Sequence, residues 1–235
     1  MSLQKCETVY GPVLCYGKDE YIGRSLYNYG EWSGDECDKL IELANGGNVV
    51  DVGANVGYFS LALASRGSKV YAFEPQHVLY DLLVQNVAGL DVSCFNRGLG
   101  NVAGIGRMPR IRYGERGNYG GLSIGGRSEL GQIEIYVEPL DRLCLNDIKL
   151  IKIDVEGYEL QVLKGAVETI ERCSPILYVE DDRLDKRDAL RSFIKSLGYK
   201  IEEHSPRMYR ENNYRGLKKN IWDKDYVSLN IICSK

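Results

Sequence analysis

Short apolar runs and amphipathic stretches alternate along the first half of the chain. A helix is predicted after Ser33, because Glu36 completes the form of a capping box and apolar residues then recur at helical spacing as far as Ala44. Strands are predicted at 49–52 and 70–73, where apolar residues run together, and an amphipathic helix follows each of them. The order strand, helix, strand, helix is typical of an α/β fold.

The second half of the chain returns to this order after an interruption. A third strand is predicted at 92–95, but 101–140 is rich in Gly and Arg and departs from the alternation, so we interpret it as an insertion that contains a hairpin. Strands are predicted again at 150–153 and 176–179, with a single helix between them. The apolar face of that helix comprises Leu160, Leu163, Val167 and Ile170.

The end of the chain changes the expected sheet. A further helix is predicted to end at Gly198, and two strands, 199–202 and 226–233, follow with no helix between them. Strands separated by helices form a parallel sheet with helices on both faces, whereas two strands joined without a helix pair antiparallel. We therefore expect a mostly parallel sheet with one antiparallel strand, in one domain at 33–235 that 1–32 precede as an N-terminal extension.

Composition and charge are ordinary for a globular protein in water, with 27% charged and 44% hydrophobic residues and a net charge of -3. The small negative charge disfavours a nucleic-acid partner. No apolar run approaches the roughly 20 residues that span a bilayer and no signal pattern opens the chain, so we expect a cytoplasmic protein without a membrane partner. The seven cysteines form no Cys-x-x-Cys pair, which argues against a disulfide framework and a zinc site.

Polar residues follow the predicted strands, at the sheet edge where ligands bind in open α/β folds. The first strand leads into D-V-G-A-N-V-G at 51–57, in which Gly53 and Gly57 let the backbone turn tightly and approach a ligand. Glu74, about 20 residues further on, is placed to accept the hydroxyls of a ribose. The loop lacks the third Gly of a dinucleotide motif and has Asn55 in its middle, so the methionine end of S-adenosylmethionine fits it better than the pyrophosphate of NAD. An NAD-dependent oxidoreductase and a cofactor-binding module without catalysis stay the alternatives.

Three segments within Gly30 to Glu180 together resemble the FkbM family of methyltransferases: V-V-D-V-G-A-N-V-G-Y-F-S, Y-A-F-E-P, and P-L-D-R-L followed by L-I-K-I-D-V-E-G-Y-E-L-Q-V-L-K-G-A. The resemblance implies a seven-stranded class I methyltransferase fold, which is Rossmann-like, with S-adenosylmethionine as donor and a hydroxyl as acceptor, often on a sugar or natural product. It implies a cofactor site at Asp51, Gly53, Ala54, Asn55, Gly57, Glu74, Gln76, Asn96, Gly98 and Asp154. Asn96 and Gly98 would border the adenine.

Transfer to a hydroxyl requires that its proton leave, so a base or a metal is needed. The candidates are Asp154, Glu156, Glu180 and His204. We favour the three carboxylates as catalytic residues over His204, which fits a surface loop, although Asp154 and Glu156 alternatively cap the next helix. Carboxylates suit Mg²⁺, but no histidine joins them, so a divalent metal is not favoured and no metal ligand is predicted.

Two further segments suit an acceptor. The arginines of the insertion fit an anionic acceptor or, equally, a solvated loop. The loop at 205–222 mixes Arg, Tyr, Asn and Trp, which suits a saccharide face, a hairpin tip or a subunit contact, and keeps nucleic-acid methylation a minor alternative. We expect an O-methyltransferase acting on a small hydroxylated acceptor, a saccharide or a glycosylated metabolite, and whether the chain forms a homo-oligomer stays open. The arginines of the insertion at 101–140 are Arg107, Arg110, Arg112, Arg116 and Arg127.

Overall fold

The computed structural model describes residues 3–222 and 226–235. A seven-stranded sheet lies at its centre. Its strands, in spatial order, are β11 (Lys200–His204), β12 (Asn230–Ser234), β10 (Ile176–Glu180), β9 (Ile148–Ile153), β3 (Asn48–Val52), β4 (Val70–Phe73) and β5 (Val92–Phe95). Strand β12 is antiparallel to both of its neighbours, whereas the other pairs in this sheet are parallel. The expected mostly parallel sheet with one antiparallel strand is confirmed.

Both faces of this sheet are covered by helices, because alternate residues of each strand face opposite sides. On β3, Val49 belongs to one apolar cluster, whereas Val50 and Val52 belong to the other. The helices on the Val49 side are α2 (Gly34–Ala44), α3 (Tyr58–Ser65) and α4 (His77–Asn86). The helices on the Val50 side are α5 (Glu159–Lys164), α6 (Val167–Cys173) and α7 (Arg187–Ser196). In the part of the chain that the structure describes, none of the helices has the length and apolar character to cross a bilayer.

The single helix predicted after the fourth strand is wrong, because α5 and α6 are separate helices. The break falls at Gly165, whose carbonyl accepts the backbone N–H of Asp141 at 3.0 Å. The backbone of Gly100 passes so close that a Cβ at position 165 would lie 1.9 Å from its carbonyl oxygen. Asp141 then uses its carboxylate to accept two backbone N–H groups in the first turn of α6. The apolar spacing was compatible with one helix, but these contacts from the preceding segment end the first one.

Two smaller predictions are also wrong. The capping box is not formed, because Ser33 adopts a left-handed φ of 45° and its hydroxyl donates to the Glu36 carboxylate at 2.8 Å instead of accepting a backbone N–H. Burial raises the pKa of Glu36, and the charge of the buried Lys152 opposes this shift. The last strand begins at Asn230 and not at 226, although the adjoining Val227 forms an isolated bridge with Arg207.

The insertion forms a small sheet of its own beside the main one. Its strands are β6 (Gly98–Leu99), β7 (Gly104–Pro109) and β8 (Gln132–Glu138), and β7 pairs antiparallel with β8. Both β7 and β8 lie within 101–140, the stretch that we interpreted as an insertion. Met108, together with apolar residues of β8, forms its separate core.

The N-terminal segment, for which no element was predicted, forms two strands and a helix. These are β1 (Leu3–Thr8), β2 (Gly11–Tyr16) and α1 (Ile22–Tyr29), and they pack against the same apolar cluster as α2 to α4. The segment after β11 packs on them in turn. There the Arg210 guanidinium lies 2.7 Å from the Glu31 carboxylate and 2.5 Å from that of Asp38.

Asn86, at the end of α4, fastens β2 to the turn after β3. Its Oδ1 accepts the Leu14 N–H at 2.7 Å, and its Nδ2 donates to the carbonyls of Leu14 at 2.9 Å and Val56 at 2.8 Å. Because Asn86 is 9% exposed, these backbone groups have little access to water. The amide therefore carries three hydrogen bonds that a hydrophobic residue cannot replace.

We expect Asn86→Ala to lower the free energy of unfolding by about 1 to 3 kcal/mol, because buried backbone groups lose their partners. Urea denaturation measures this. The matched control is Gln85→Ala, which removes an exposed amide from the same helix turn and should change stability by less than about 0.5 kcal/mol. Equal losses in the two variants would contradict the role assigned to Asn86.

Candidate functional site

A large pocket opens at the carboxyl ends of β3, β4, β9 and β10. Its empty space, counted together with its opening to solvent, is about 1190 Å³. Its walls come from four parts of the chain: residues 21–36, the loops that follow the strands, the insertion, and Met208, Tyr226 and Ser228 near the end of the chain. The sheet edge thus supplies only part of the lining, and distant segments close the rest.

Glu74 joins the two loops at one end of the pocket. Its carboxylate accepts the backbone N–H of Asn55 at 2.9 Å and that of Gln76 at 2.8 Å. Burial raises the pKa of Glu74 to about 7, although these two hydrogen bonds lower it in part. Asn55 itself adopts a left-handed φ of 53°. The result is a rigid turn with a carboxylate at its side.

Gly53 brings the turn after β3 against the end of β9. Its φ is +84°, and a Cβ at this position would lie 1.9 Å from the carbonyl oxygen of Asp154. A side chain here would force the two loops apart. Close approach of the two strand ends therefore requires glycine.

Apolar residues line a further part of the pocket, which we call the apolar slot. Its walls are residues of β6, β7 and the following loop: Gly98, Leu99, Met108, Leu122 and Ile124. Gln76 ties this loop to the sheet, because its Nε2 donates to the Tyr119 carbonyl at 3.1 Å and its Oε1 accepts the Tyr113 hydroxyl at 2.6 Å. The insertion is thus part of the pocket wall.

Three carboxylates also line the pocket. Asp154, Glu156 and Glu180 each offer an oxygen, and these atoms lie within 4.8 Å of one another. Burial, followed by the nearby charges of Asp154 and Glu156, raises the pKa of Glu180 to about 11, so that it is protonated at neutral pH. Burial and the Asp154 charge raise the pKa of Glu156 to about 7, against the opposing effect of its ion pair with Arg183. Clustered carboxylates alone do not identify a cation site, so we assign no metal ligand.

One of these carboxylates, Asp154, also belongs to a charge cluster with Asp51, Lys152 and Glu36, which are buried. The Lys152 ammonium is 3.3 Å from Asp154 Oδ2 and 3.7 Å from Asp51 Oδ1. Burial alone would lower the pKa of Lys152, but the charges of Asp154, Asp51 and Glu36 outweigh it and raise the pKa above its usual value. Lys152 is therefore a cation, although its side chain is 1% exposed.

A family model for the methyltransferase FkbM domain matches residues 51–201, which is more than half of the chain. The chain belongs to the FkbM methyltransferase family. Methyltransferase sdnD of Sordaria araneosa is similar to it, with 32% identity over 177 residues that cover 60% of this chain and 68% of that protein. Membership of this family assigns S-adenosylmethionine as the cofactor.

Solved structures share the fold of this FkbM-family chain. Methyltransferase FkbM from Methylobacillus flagellatus KT superposes with a TM-score of 0.54 and 18% identity over 79% of this chain and 43% of that one, so the chain spans less than half of that protein. Magnesium protoporphyrin IX methyltransferase from Synechocystis PCC 6803, solved with bound S-adenosylmethionine, gives a TM-score of 0.51 and 12% identity over 93% and 86% of the two chains. These similarities establish a class I methyltransferase fold.

The structure brings most of the predicted site residues of this FkbM-family chain to one pocket. Those that line it are Gly53, Ala54, Asn55, Glu74, Gln76, Gly98, Asp154, Glu156 and Glu180. Three others lie outside the lining. Asp51 is buried behind it, where it accepts the Ser60 hydroxyl at 2.6 Å. Gly57 precedes α3 and lies against Leu83, and Asn96 is exposed and donates to the Glu74 carbonyl at 2.9 Å.

Several lining residues were not predicted. Lys152 had a signal in the sequence, because a charged residue inside the apolar strand L-I-K-I must be paired when it is buried. Glu36 was interpreted only as a helix cap. Tyr21, Trp32 and Tyr226 come from segments far from the strand ends, and nothing in their local sequence places them at the pocket.

We expect Gly53→Ala to separate the loops after β3 and β9 and so to weaken binding of S-adenosylhomocysteine, as measured by calorimetry. The matched control is Gly67→Ala. Gly67 has a similar φ of +90°, but a Cβ there would meet nothing within 4 Å. The control should lose only the roughly 1 to 2 kcal/mol of left-handed strain and keep its affinity. Equal affinity in both variants would show that the close approach at Gly53 does not matter for binding.

Proposed function

We propose that this protein transfers the methyl group of S-adenosylmethionine to a hydroxyl of a small acceptor, a saccharide or a glycosylated metabolite. One observation carries the proposal: a single pocket joins the turn at Gly53 and Glu74 to a chamber with carboxylates and aromatic side chains. The two ends have different chemistry. The first suits a nucleoside and the second suits a neutral molecule with many hydroxyls.

The first end fits the cofactor in three respects. Each carboxylate oxygen of Glu74 accepts one N–H and has a lone pair left for a ribose hydroxyl. The bare backbone at Gly53 leaves room for the methionine part. The apolar slot beside Gly98 suits an adenine ring. When bound there, S-adenosylmethionine supplies an electrophilic methyl group.

The second end fits an uncharged polyol. Asp154 and its neighbouring carboxyl groups can accept or donate hydrogen bonds to hydroxyls, whereas they repel a phosphate or a carboxylate. Tyr21, Trp32 and Tyr226 line the same pocket, and aromatic rings can stack on the apolar face of a saccharide.

The arginines of the insertion give no support to an anionic acceptor. Arg107, Arg112 and Arg116 form exposed ion pairs with acidic side chains, and none of them lines the pocket. The solvated-loop interpretation of these arginines therefore fits better. In the segment 205–222, Arg210 forms an ion pair with Glu31. This pairing reduces the support for a role of that segment in saccharide or RNA binding.

In this proposal the protein contributes alignment more than covalent chemistry. Holding an acceptor oxygen in line with the methyl group can lower the barrier by about 7 to 11 kcal/mol in favourable cases. Lys152 fixes the carboxylate of Asp154 at 3.3 Å, so Asp154 offers a fixed acceptor for one hydroxyl. Glu156 and protonated Glu180 would hold others.

We expect Glu74→Ala to weaken S-adenosylhomocysteine binding by about 1 to 3 kcal/mol, because the ribose loses a charged acceptor. Calorimetry measures this, with Glu134→Ala on the exposed face of β8 as the control. NAD should give no heat. Heat with NAD and none with S-adenosylhomocysteine would favour the oxidoreductase alternative.

The same carboxylate should make cofactor affinity depend on pH. Ribose hydroxyls donate to the ionised form, and the pKa of free Glu74 is about 7, so affinity should rise as the pH increases through 7. Glu74→Gln should remove this component. A pH dependence that is identical in the variant would assign it to another group.

We expect Asp154→Asn to lower turnover on the order of 10- to 100-fold, through loss of a charged hydrogen bond to the acceptor, and to leave folding intact because its side chain is 37% exposed. Release of S-adenosylhomocysteine with a panel of hydroxylated acceptors measures this. Exposed Asp185→Asn is the control. Tight cofactor binding with no turnover of the panel by the wild type would favour the module without catalysis.

A further inference from the structure

The side chain of Gln76 is bonded to the insertion and not to the helix that it precedes. Gln76 is the N-cap of α4, a position at which a side-chain oxygen commonly accepts a backbone N–H of the first helical turn, but its side chain forms no such bond. Instead, Nε2 donates to the Tyr119 carbonyl at 3.1 Å, and Oε1 accepts the Tyr113 hydroxyl at 2.6 Å. Gln76 is 3% exposed, so both bonds have little access to water. The amide therefore links two segments of the chain.

The backbone of Gln76 is bonded to the carboxylate that we assign to the ribose. Its N–H donates to Glu74 Oε1 at 2.8 Å, and the N–H of Asn55 donates to Glu74 Oε2 at 2.9 Å. The place of the carboxylate thus depends on where these two donors lie. One of the donors belongs to the residue that the insertion holds.

The loop that carries Glu74 depends on side chains from other segments. Pro75 follows Glu74 and has no N–H to donate. Exposed Asn96 donates to the carbonyls of Glu74 at 2.9 Å and Pro75 at 3.3 Å. The bonds from Gln76 to the insertion are a second attachment of the same loop. A binding group keeps its productive geometry only when such supporting bonds fix it.

The insertion is packed firmly enough to act as the anchor. Tyr119 is 3% exposed, and its ring centre lies 5.6 Å from that of Tyr16 on β2 and 5.2 Å from that of Tyr113. The Tyr119 hydroxyl accepts the Gly114 N–H at 2.7 Å and donates to the Glu115 carbonyl. The two tyrosines that reach the loop after β4 therefore belong to one packed unit.

We propose that Tyr113 is a positioning residue of the cofactor site: through Gln76 it holds the Glu74 carboxylate where that carboxylate accepts the ribose hydroxyls. The inference rests on the proposed function, in which Glu74 binds the ribose. It extends the cofactor site to a residue of the insertion. Gln76 is then a positioning residue as well, because both ends of its amide are engaged by the insertion.

Loss of the Tyr113 hydroxyl should act on the ligand through Glu74. Tyr113→Phe keeps the ring in place but leaves Oε1 of Gln76 without this donor. The side chain of Gln76 is then held at one end only, and the N–H that it presents to Glu74 is less well fixed. The ribose must then bind a carboxylate that is no longer ordered in advance, which costs affinity.

Calorimetry with two ligands tests this role. The ligands are S-adenosylhomocysteine and its analogue that lacks both ribose hydroxyls. We expect Tyr113→Phe to weaken binding of the first about 3- to 10-fold and to leave the affinity of the second unchanged, because the analogue has no hydroxyl for Glu74. A general disturbance of the pocket would weaken both ligands by the same factor, and that result would overturn the proposal.

The matched control is Tyr136→Phe. Tyr136 lies on β8 of the same insertion and is 40% exposed, so its hydroxyl can bond to water in place of a protein group. This variant should bind both ligands as the wild type does. Weakening of S-adenosylhomocysteine binding to the same extent in both tyrosine variants would overturn the role of Tyr113.

A double-variant cycle shows whether Tyr113 acts through Glu74. In the Glu74→Ala background, Tyr113→Phe should no longer change the affinity for S-adenosylhomocysteine, because the group that it positions is missing. Two residues that act on one interaction give such non-additive effects, whereas independent ones add. An undiminished effect of Tyr113→Phe in this background would overturn the proposed route.

Hydrogen exchange of the free protein tests the route without any ligand. The backbone N–H groups of Gln76 and Asn55 are bonded to Glu74, so their exchange rates report how firmly the carboxylate is held. Tyr113→Phe should accelerate exchange at Gln76 about 3-fold or more, whereas Tyr136→Phe should not. Unchanged exchange at both amides in Tyr113→Phe would overturn the proposal. If the wild type binds no S-adenosylhomocysteine, the proposed function fails, and the exchange rates still decide whether Tyr113 holds Glu74.

Discussion

The pairing of one buried ammonium with several carboxylates constrains the whole site. Lys152 lies between Asp51 on β3 and Asp154 after β9, and Glu36 of α2 acts on the same charge. Taking such ions out of water costs several kcal/mol each, which only good mutual geometry offsets. Removing Lys152 would leave the carboxylates of Asp51 and Glu36 buried without this counter-charge. The cluster therefore fixes two central strands and the first covering helix relative to one another.

This constraint explains the arrangement of the pocket above it. Asp154 has its carboxylate 3.3 Å from the Lys152 ammonium, and its backbone carbonyl lies against Gly53 in the turn after β3. Glu36 is drawn inward instead of capping its helix. The pocket thereby contains carboxyl groups with different proton affinities. Burial raises the pKa of both Glu180 and Glu36, but Glu180 has further acids beside it whereas Glu36 has the Lys152 cation nearby. Groups of unequal pKa at one site can divide hydrogen bonding and proton uptake between them.

The part of the site that was predictable follows from strand adjacency. Carboxyl ends of neighbouring parallel strands lie at one sheet edge, so Gly53, Glu74 and Asp154 had to converge. Proximity to a strand end did not decide which side chains line the pocket. Asp51 lies on the same face of β3 as Val49, because side chains alternate along a strand. Asn96 is exposed and donates a hydrogen bond to the Glu74 carbonyl. The aromatic wall depends on packing of both terminal segments, which no local pattern encodes.

The sequence by itself determined the α/β order, the antiparallel last strand and the family, because these depend on short-range periodicity and on contiguous motifs. Tertiary structure decided the break between α5 and α6, the fold of residues 3–32 and the orientation of Glu36. Each of these depends on a contact between distant segments, such as Gly165 against Gly100. The physical reason is that apolar spacing specifies which face of an element is buried, whereas burial of a charge or a close backbone approach is specified only by the partner that it meets.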